Sequence, residues 1–220
     1  MTAAARLIRP LRKLLPHSES HCLLGRDLSL PLVGFAAPGT TASAVTAHEQ
    51  QETQSLDQFA TRHGFPSGWT SDMLSDGAAA ILIRETTSGE PIAMGWTTSM
   101  PFHIEEIGAT LDPAGGIYLF GDFVAPTHRG RKLQRMLVAV RLARASGLSH
   151  ACTVIHPANV ASMRSYQTQG FEITAHFARR QWLGKTWYKC QNRSSSSPIR
   201  FTMNETSELT RSLRASRFSG

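Results

Sequence analysis

The chain has 220 residues, enough to bury one substantial core, and its 41% hydrophobic and 18% charged composition belongs to a globular domain rather than a disordered chain. The net charge of +7 sits at the two ends: residues 1–30 carry five Lys/Arg against two acids, residues 191–220 five Arg against two, and the stretch between is almost neutral, which argues against a nucleic-acid partner. Three dispersed cysteines without a CxxC pair exclude a disulfide framework and a cysteine zinc site, and no apolar run reaches the ~18 residues of a membrane span.

Residues 1–18 contain no acid, and Leu7, Ile8, Leu11, Leu14 and Leu15 form a helical stripe broken by Pro10 and Pro16. This basic N-terminal extension, residues 1–30, reads either as a targeting or membrane-surface arm or as a segment packed on its own domain. Residues 42–63, polar with spaced Val45, Leu56 and Phe59, predict a surface helix. Residues 78–83 and 91–97 predict a hairpin around Thr87–Glu90. A third strand is expected over 102–111 and a strongly apolar one over 117–124, stopped by Pro126. Residues 128–146 hold six basic residues and no acid, with Leu133, Met136, Leu137 and Val140 at helical spacing and Gly147 as a stop. A strand over 150–155, a short helix over 159–169 closed by Gly170, and a strand pair over 171–177 and 181–190 complete the domain. The serine run 194–197 begins a Ser/Arg-rich flexible tail, 191–220, with a short helix near 205–214; removing 193–220 is expected to leave the fold intact. The order predicts a mixed α/β (α+β) domain over 31–190 built on one sheet.

Two stretches carry chemistry. In Val124-Ala-Pro-Thr-His-Arg129-Gly130-Arg131-Lys132-Leu133-Gln134 a strand ends, a basic loop follows and a helix begins. The free N–H groups of a helix start suit an anion, a glycine admits close backbone approach, and arginines add charged donors. The competing reading is a solvated basic helix face. In the second stretch Asn159 can cap a helix, and Ser162 and Tyr166, four apart, share its face. Tyr166 is either a proton donor to a leaving group or a tyrosine packed at the sheet edge.

Together, Val124, Pro126, Arg129, Gly130 and Leu133, followed by Asn159, Ser162, Tyr166, Gly170 and Phe171, form a pattern that resembles the GNAT superfamily of acyl-CoA N-acyltransferases. The resemblance covers about residues 78–190, and more weakly 32–77. It implies a mostly antiparallel sheet with splayed central strands flanked by helices, and an acyl-CoA, most simply acetyl-CoA, in the gap between those strands. By the same resemblance the pyrophosphate meets Arg129, Gly130, Arg131, Lys132, Leu133 and Gln134. Phe123 and Val124 pair with the pantetheine amides, Asn159 and Ser162 lie beside the cofactor arm, and Tyr166 protonates the departing thiolate. An amine attacks the thioester directly, so no cysteine nucleophile or metal is needed, and Cys152 is a core residue. In the family the loop reads R/Q-x-x-G-x-G/A; here Lys132 and Gln134 stand at the two small positions. That departure motivates the alternative of a GNAT-like module that binds a ligand or partner without catalysis.

An attacking ammonium must first lose a proton. Glu105, Glu106, Asp112 and Asp122 are the candidate bases, with Asp122, near the end of an apolar strand, expected to be poised by burial. Trp96, Phe102 and Tyr118 are either site walls or core. The expected partners are an acyl-CoA and an amine; a homodimer is compatible with the sequence. The location is expected to be cytoplasmic, with the basic N-terminus the one feature pointing to an organelle.

Overall fold

A computed structural model describes residues 17–183, 185–192 and 198–203. The strands are β1 (His17–Asp27), β2 (Thr40–Val45), β3 (Ala79–Glu85), β4 (Pro91–Thr98), β5 (Phe102–Ile104), β6 (Ala109–Asp112), β7 (Ile117–Val124), β8 (His150–Ile155), β9 (Glu172–Trp182), β10 (Lys185–Asn192) and β11 (Arg200–Met203). The helices are α1 (Gln50–Arg62), α2 (Trp69–Ser75), α3 (Leu133–Arg144) and α4 (Val160–Gln167). Eight strands form one sheet in the order β10-β9-β1-β8-β7-β4-β3-β2, and β11-β6-β5 form a second. Every neighbouring pair is antiparallel except β7 and β8, the pair joined through α3, because parallel strands need a crossover.

The large sheet is covered on both faces, so its inner strands read as continuous apolar runs. Helices α3 and α4 pack Val138, Leu142 and Tyr166 against Leu24, Leu119 and Ile155, while Leu133 and Leu137 meet Ile81, Ile83 and Ala93. On the opposite face α1 and α2 cover Leu82, Met94 and Trp96. The small sheet covers Leu23, Tyr118, Cys152 and Phe177 on that same face. Asn159 Oδ1 accepts the Ser162 N–H at 3.2 Å and caps α4, and Gly170, at φ +81°, ends the connection that follows it.

Four expectations change. The N-terminal extension gives way from His17 onward: β1 lies inside the sheet, paired with both β8 and β9, because Cys22, Leu23 and Leu24 are buried between two faces. Arg26, counted among the arm's charges, is buried and donates to the carbonyls of Leu30 and Pro31 at 2.9 and 2.8 Å. The helix expected from residue 42 begins only at Gln50; Thr40–Val45 instead extends the sheet edge as β2, where Val45 is fully buried. The strand expected over 102–111 is two short strands joined by a turn that contains Glu105 and Glu106. In the expected tail, residues 198–203 pack on the domain: Ile199 is buried and β11 pairs with β6 from Arg200↔Asp112 to Met203↔Ala109. The apolar N-terminal stripe, the serine run and the 205–214 helix lie outside the described residues.

Candidate active site

Strands β7 and β8 pair only at Ile117↔Ala151 and Tyr118↔Cys152, and then part. Past that point β7 keeps its ladder to β4 on one edge, and its other edge faces the gap. The β4 register steps from Met94↔Phe123 to Trp96↔Phe120, so Gly121 and Asp122 oppose the single residue Gly95, a bulge with Gly121 at φ +61°. A Cβ at Gly95 would lie 2.9 Å from Asp122 Oδ1 and 3.0 Å from the Arg141 guanidinium, so this glycine makes the room those two side chains occupy.

Asp122 and Arg141 form an ion pair at 2.6 Å, with side chains only 10% and 1% exposed. The Tyr166 hydroxyl donates to Asp122 Oδ2 at 2.9 Å and accepts from Arg141 at 3.2 Å. The Thr153 side chain on β8 is among the groups that act on this hydroxyl. Arg141 spends its remaining donors on the carbonyls of Leu137, Trp96 and Phe120, at 3.1, 3.0 and 3.4 Å. A buried charge is tolerated when it is paired and hydrogen-bonded in this way. Burial pushes the Tyr166 hydroxyl well above the ordinary phenol range, so it is protonated throughout the neutral range. Burial likewise raises the Cys152 thiol, which sits in the core as expected.

Asp122, one of the candidate bases, pairs its carboxylate with Arg141 and accepts from the Tyr166 hydroxyl, which it orients. Asp112 Oδ1 accepts the Ala114 N–H at 2.8 Å and holds a turn, and Glu105 is an exposed turn residue. Among the four candidate acids, Glu106 lines a cavity on the small-sheet side of the gap. That cavity, about 290 Å³, also takes in Phe102, Tyr118 and Gly121, whereas Trp96 is fully buried in the core.

At the other side of the gap, the loop before α3 presents Arg129, Gly130, Arg131 and Lys132 to solvent, with Gly130 at φ +83° and Lys132 at φ +60°. The first helical bond of α3 runs from Met136 N–H to Lys132 O, so the N–H groups of Leu133, Gln134 and Arg135 precede the ladder, and the first turn carries no acid. Lys132 occupies the left-handed region at a cost of roughly 1–2 kcal/mol, at the position where the family pattern keeps a glycine. Arg131 pairs with Glu85 at 3.2 Å and Arg129 Nε donates to Val124 O at 3.4 Å. Gln134 donates to Ser162 Oγ at 2.6 Å and lies 3.4 Å from Asp122 Oδ2, linking α3 to α4. Phe123 and Val124 pair with Met94 and Ala93, and the Phe123 ring packs near His63 at 4.8 Å. Thus the structure brings Asp122, Gln134, Ser162 and Tyr166 together, sets Arg129–Leu133 beside them, and uses Asn159 as a cap. The sequence reading missed Arg141, a lone cation four residues after Leu137 on the buried stripe of α3; that position was the available signal.

A family model described as "Acetyltransferase (GNAT) family" matches residues 45–171. Among solved structures, a GCN5-related N-acetyltransferase from Sphaerobacter thermophilus is similar with TM-score 0.56 at 14% identity, over 83% of this chain and 58% of that one. Another from Kribbella flavida is similar with TM-score 0.50 at 18% identity, over 90% of this chain and 66% of that one. The chain therefore spans about six-tenths of the length of these structures. No curated protein matches it in sequence. Among the described residues no helix is long and apolar enough to cross a membrane, and no cluster of His, Cys, Asp or Glu suits a metal ion.

Proposed function

The chain belongs to the acetyltransferase (GNAT) family, and from that premise we propose that it transfers an acyl group, acetyl in the simplest case, from an acyl-CoA to a primary amine by direct attack. One observation supports this reading: the Tyr166 hydroxyl donates to Asp122, which lies on β7 past the point where β7 and β8 part. The acyl-CoA is a substrate here. The N–H groups that open α3, with Arg129, Arg131 and Lys132, suit its phosphates; the edge of β7 that faces away from β4 suits its amides. Its thioester supplies an activated carbonyl and a good leaving group. The protein positions the reactants, and Tyr166 holds a proton where the leaving sulfur needs one.

A second reading, a module that binds without turnover, is favoured by Gln134. Its amide spans from α3 to Ser162 in the region where the family pattern keeps a small residue. Calorimetry with acetyl-CoA and a longer acyl-CoA, followed by an amine panel monitored for free thiol, separates the two. Transfer predicts acyl-CoA binding and thiol release with at least one amine; binding with no release across the panel supports the module.

A further inference from the structure

The cavity on the small-sheet side of the gap has a lining of unusual chemistry. Tyr118 and Phe120 stack at 5.4 Å with their planes 7° apart, and Phe102 lies 4.6 Å from Phe120. Around these rings stand Glu106, His21, His103 and His156. Among the described residues no lysine or arginine lines it. His21 comes from β1: alternation along that strand turns Cys22 toward α3 and α4 and turns His21 and Leu23 to the small-sheet face. The His21 ring is buried, stands edge-on to His156 at 5.2 Å, and its Nδ1 has no hydrogen-bond partner among the described residues.

We infer that this cavity is the acceptor site, that it takes a small primary amine with a flat apolar body and no anionic group, and that His21 is the base that removes the ammonium proton. The inference rests on the transfer activity proposed above and names its substrate class and base. Aromatic faces attract a cation, and the Glu106 carboxylate supplies the one full negative charge of the lining. An acceptor carboxylate or phosphate would be desolvated there with no lysine or arginine in the described lining to pair with it. About 290 Å³ is of the size that takes a small molecule. Gly121 belongs to this lining and precedes Asp122, the residue that orients Tyr166, so an amine bound here enters the gap from the face opposite α3 and α4.

The groups that bear on His21 are His156 at the end of β8, Glu106 in the β5–β6 turn, Glu19 on β1 and Arg179 on β9. Burial, then His156, holds its imidazole below the ordinary range, against the pull of Glu106 and Glu19, so the ring is neutral at pH 7 and able to accept a proton. The ammonium gives one proton to His21. The amine lone pair forms the C–N bond at the thioester carbonyl, and the C–S bond breaks. The thiolate takes a proton from Tyr166, which regains one from the nitrogen as the amide forms. His21 returns its proton to solvent at the open side of the cavity.

The test uses the full chain with acetyl-CoA and 2-phenylethylamine, reading thiol release against pH. His21→Gln is expected to lower kcat/KM by ~10-fold or more near pH 7, within the usual range for a general base. The deficit should shrink as pH rises and the amine deprotonates by itself, with acetyl-CoA affinity unchanged. Glu106→Gln, at an exposed turn, should raise KM for the amine more than it lowers kcat. L-Phenylalanine, the same body with a carboxylate, should be a poorer acceptor by ~10-fold or more. A pH-independent deficit, no deficit, or equal use of L-phenylalanine would overturn the inference while acetylation itself stood. Imidazole NMR signals that respond to 2-phenylethylamine, with one missing in His21→Gln, would support the amine site without any turnover. No response of those signals would overturn it.

Discussion

Replacing Tyr166 by phenylalanine removes one oxygen from the centre of a buried charge network. The ring's contacts survive, including its edge-on packing against Phe171 at 5.0 Å. The cost falls on Asp122 Oδ2, which loses its 2.9 Å donor, and on Arg141, which loses an acceptor at 3.2 Å. A hydrogen bond to a charged group contributes roughly 1.5–3 kcal/mol. Asp122 keeps Arg141, so the lower part of that range is expected, about 2 kcal/mol. For a chain of this size that corresponds to a fall in Tm of roughly 4–8 °C. The catalytic effect is separate. Loss of the proton donor should reduce kcat by ~10-fold or more while acetyl-CoA affinity, measured by calorimetry, stays the same. Thermal melting and thiol release on the same preparation read both. Full kcat with the expected loss of stability would show that Tyr166 is a packing and hydrogen-bonding residue only, and the assignment of the acid would fail.

Truncation after Asn192 removes Ile199 and β11 together, so it should lower Tm clearly, against the expectation from the serine run; Ile199→Ala alone should cost roughly 2–5 kcal/mol, and an unchanged melting curve for the truncated chain would refute the packing. Gly130→Glu places a carboxylate at a φ of +83° beside the opening of α3 and should weaken acetyl-CoA binding ~10-fold or more by calorimetry. Equal affinity in the folded variant would place the phosphates elsewhere. His21, His63 and His150 all have imidazoles lowered by burial, so unfolding at mildly acid pH takes up protons that the folded chain does not hold. Stability from these groups is fully present above the ordinary imidazole pKa of about 6.5 and is lost as pH falls through and below it toward the folded-state values; denaturant melts at pH 7.5 and 5.5 should differ in that direction.

The parts of the fold legible in the sequence are those where local signals and burial agree. Ile117–Val124 has apolar residues and a proline stop, and it is the strand expected, residue for residue. The cap at Asn159 and the stripe of α3 are also where spacing placed them. The misread segments are those whose partners lie far along the chain. His17–Asp27 is flanked by charges and polar residues, and its membership of the sheet depends on β8 and β9, more than a hundred residues away. The four residues of β11 are short and follow a linker-like run, so only β6 gives them a reason to be extended. At the site, residue types and order pointed to Tyr166, Ser162 and the loop at Arg129–Gln134. They could not show that Asp122 is paired, because Arg141 sits on a different element and reaches it only through the space left at Gly95. Nor could they bring His21 beside His156, since that contact follows from β1 lying next to β8.

If an acyl group passes from CoA to an amine in the gap between β7 and β8, free thiol must appear over time with acetyl-CoA and 2-phenylethylamine, read together with mass analysis of the organic product. Thiol release should require both the protein and the amine, with the N-acetylated amine formed in equal amount. Acetyl-CoA that binds tightly while neither this amine nor any of a broad panel is acetylated would contradict it, and would assign the chain to binding rather than transfer.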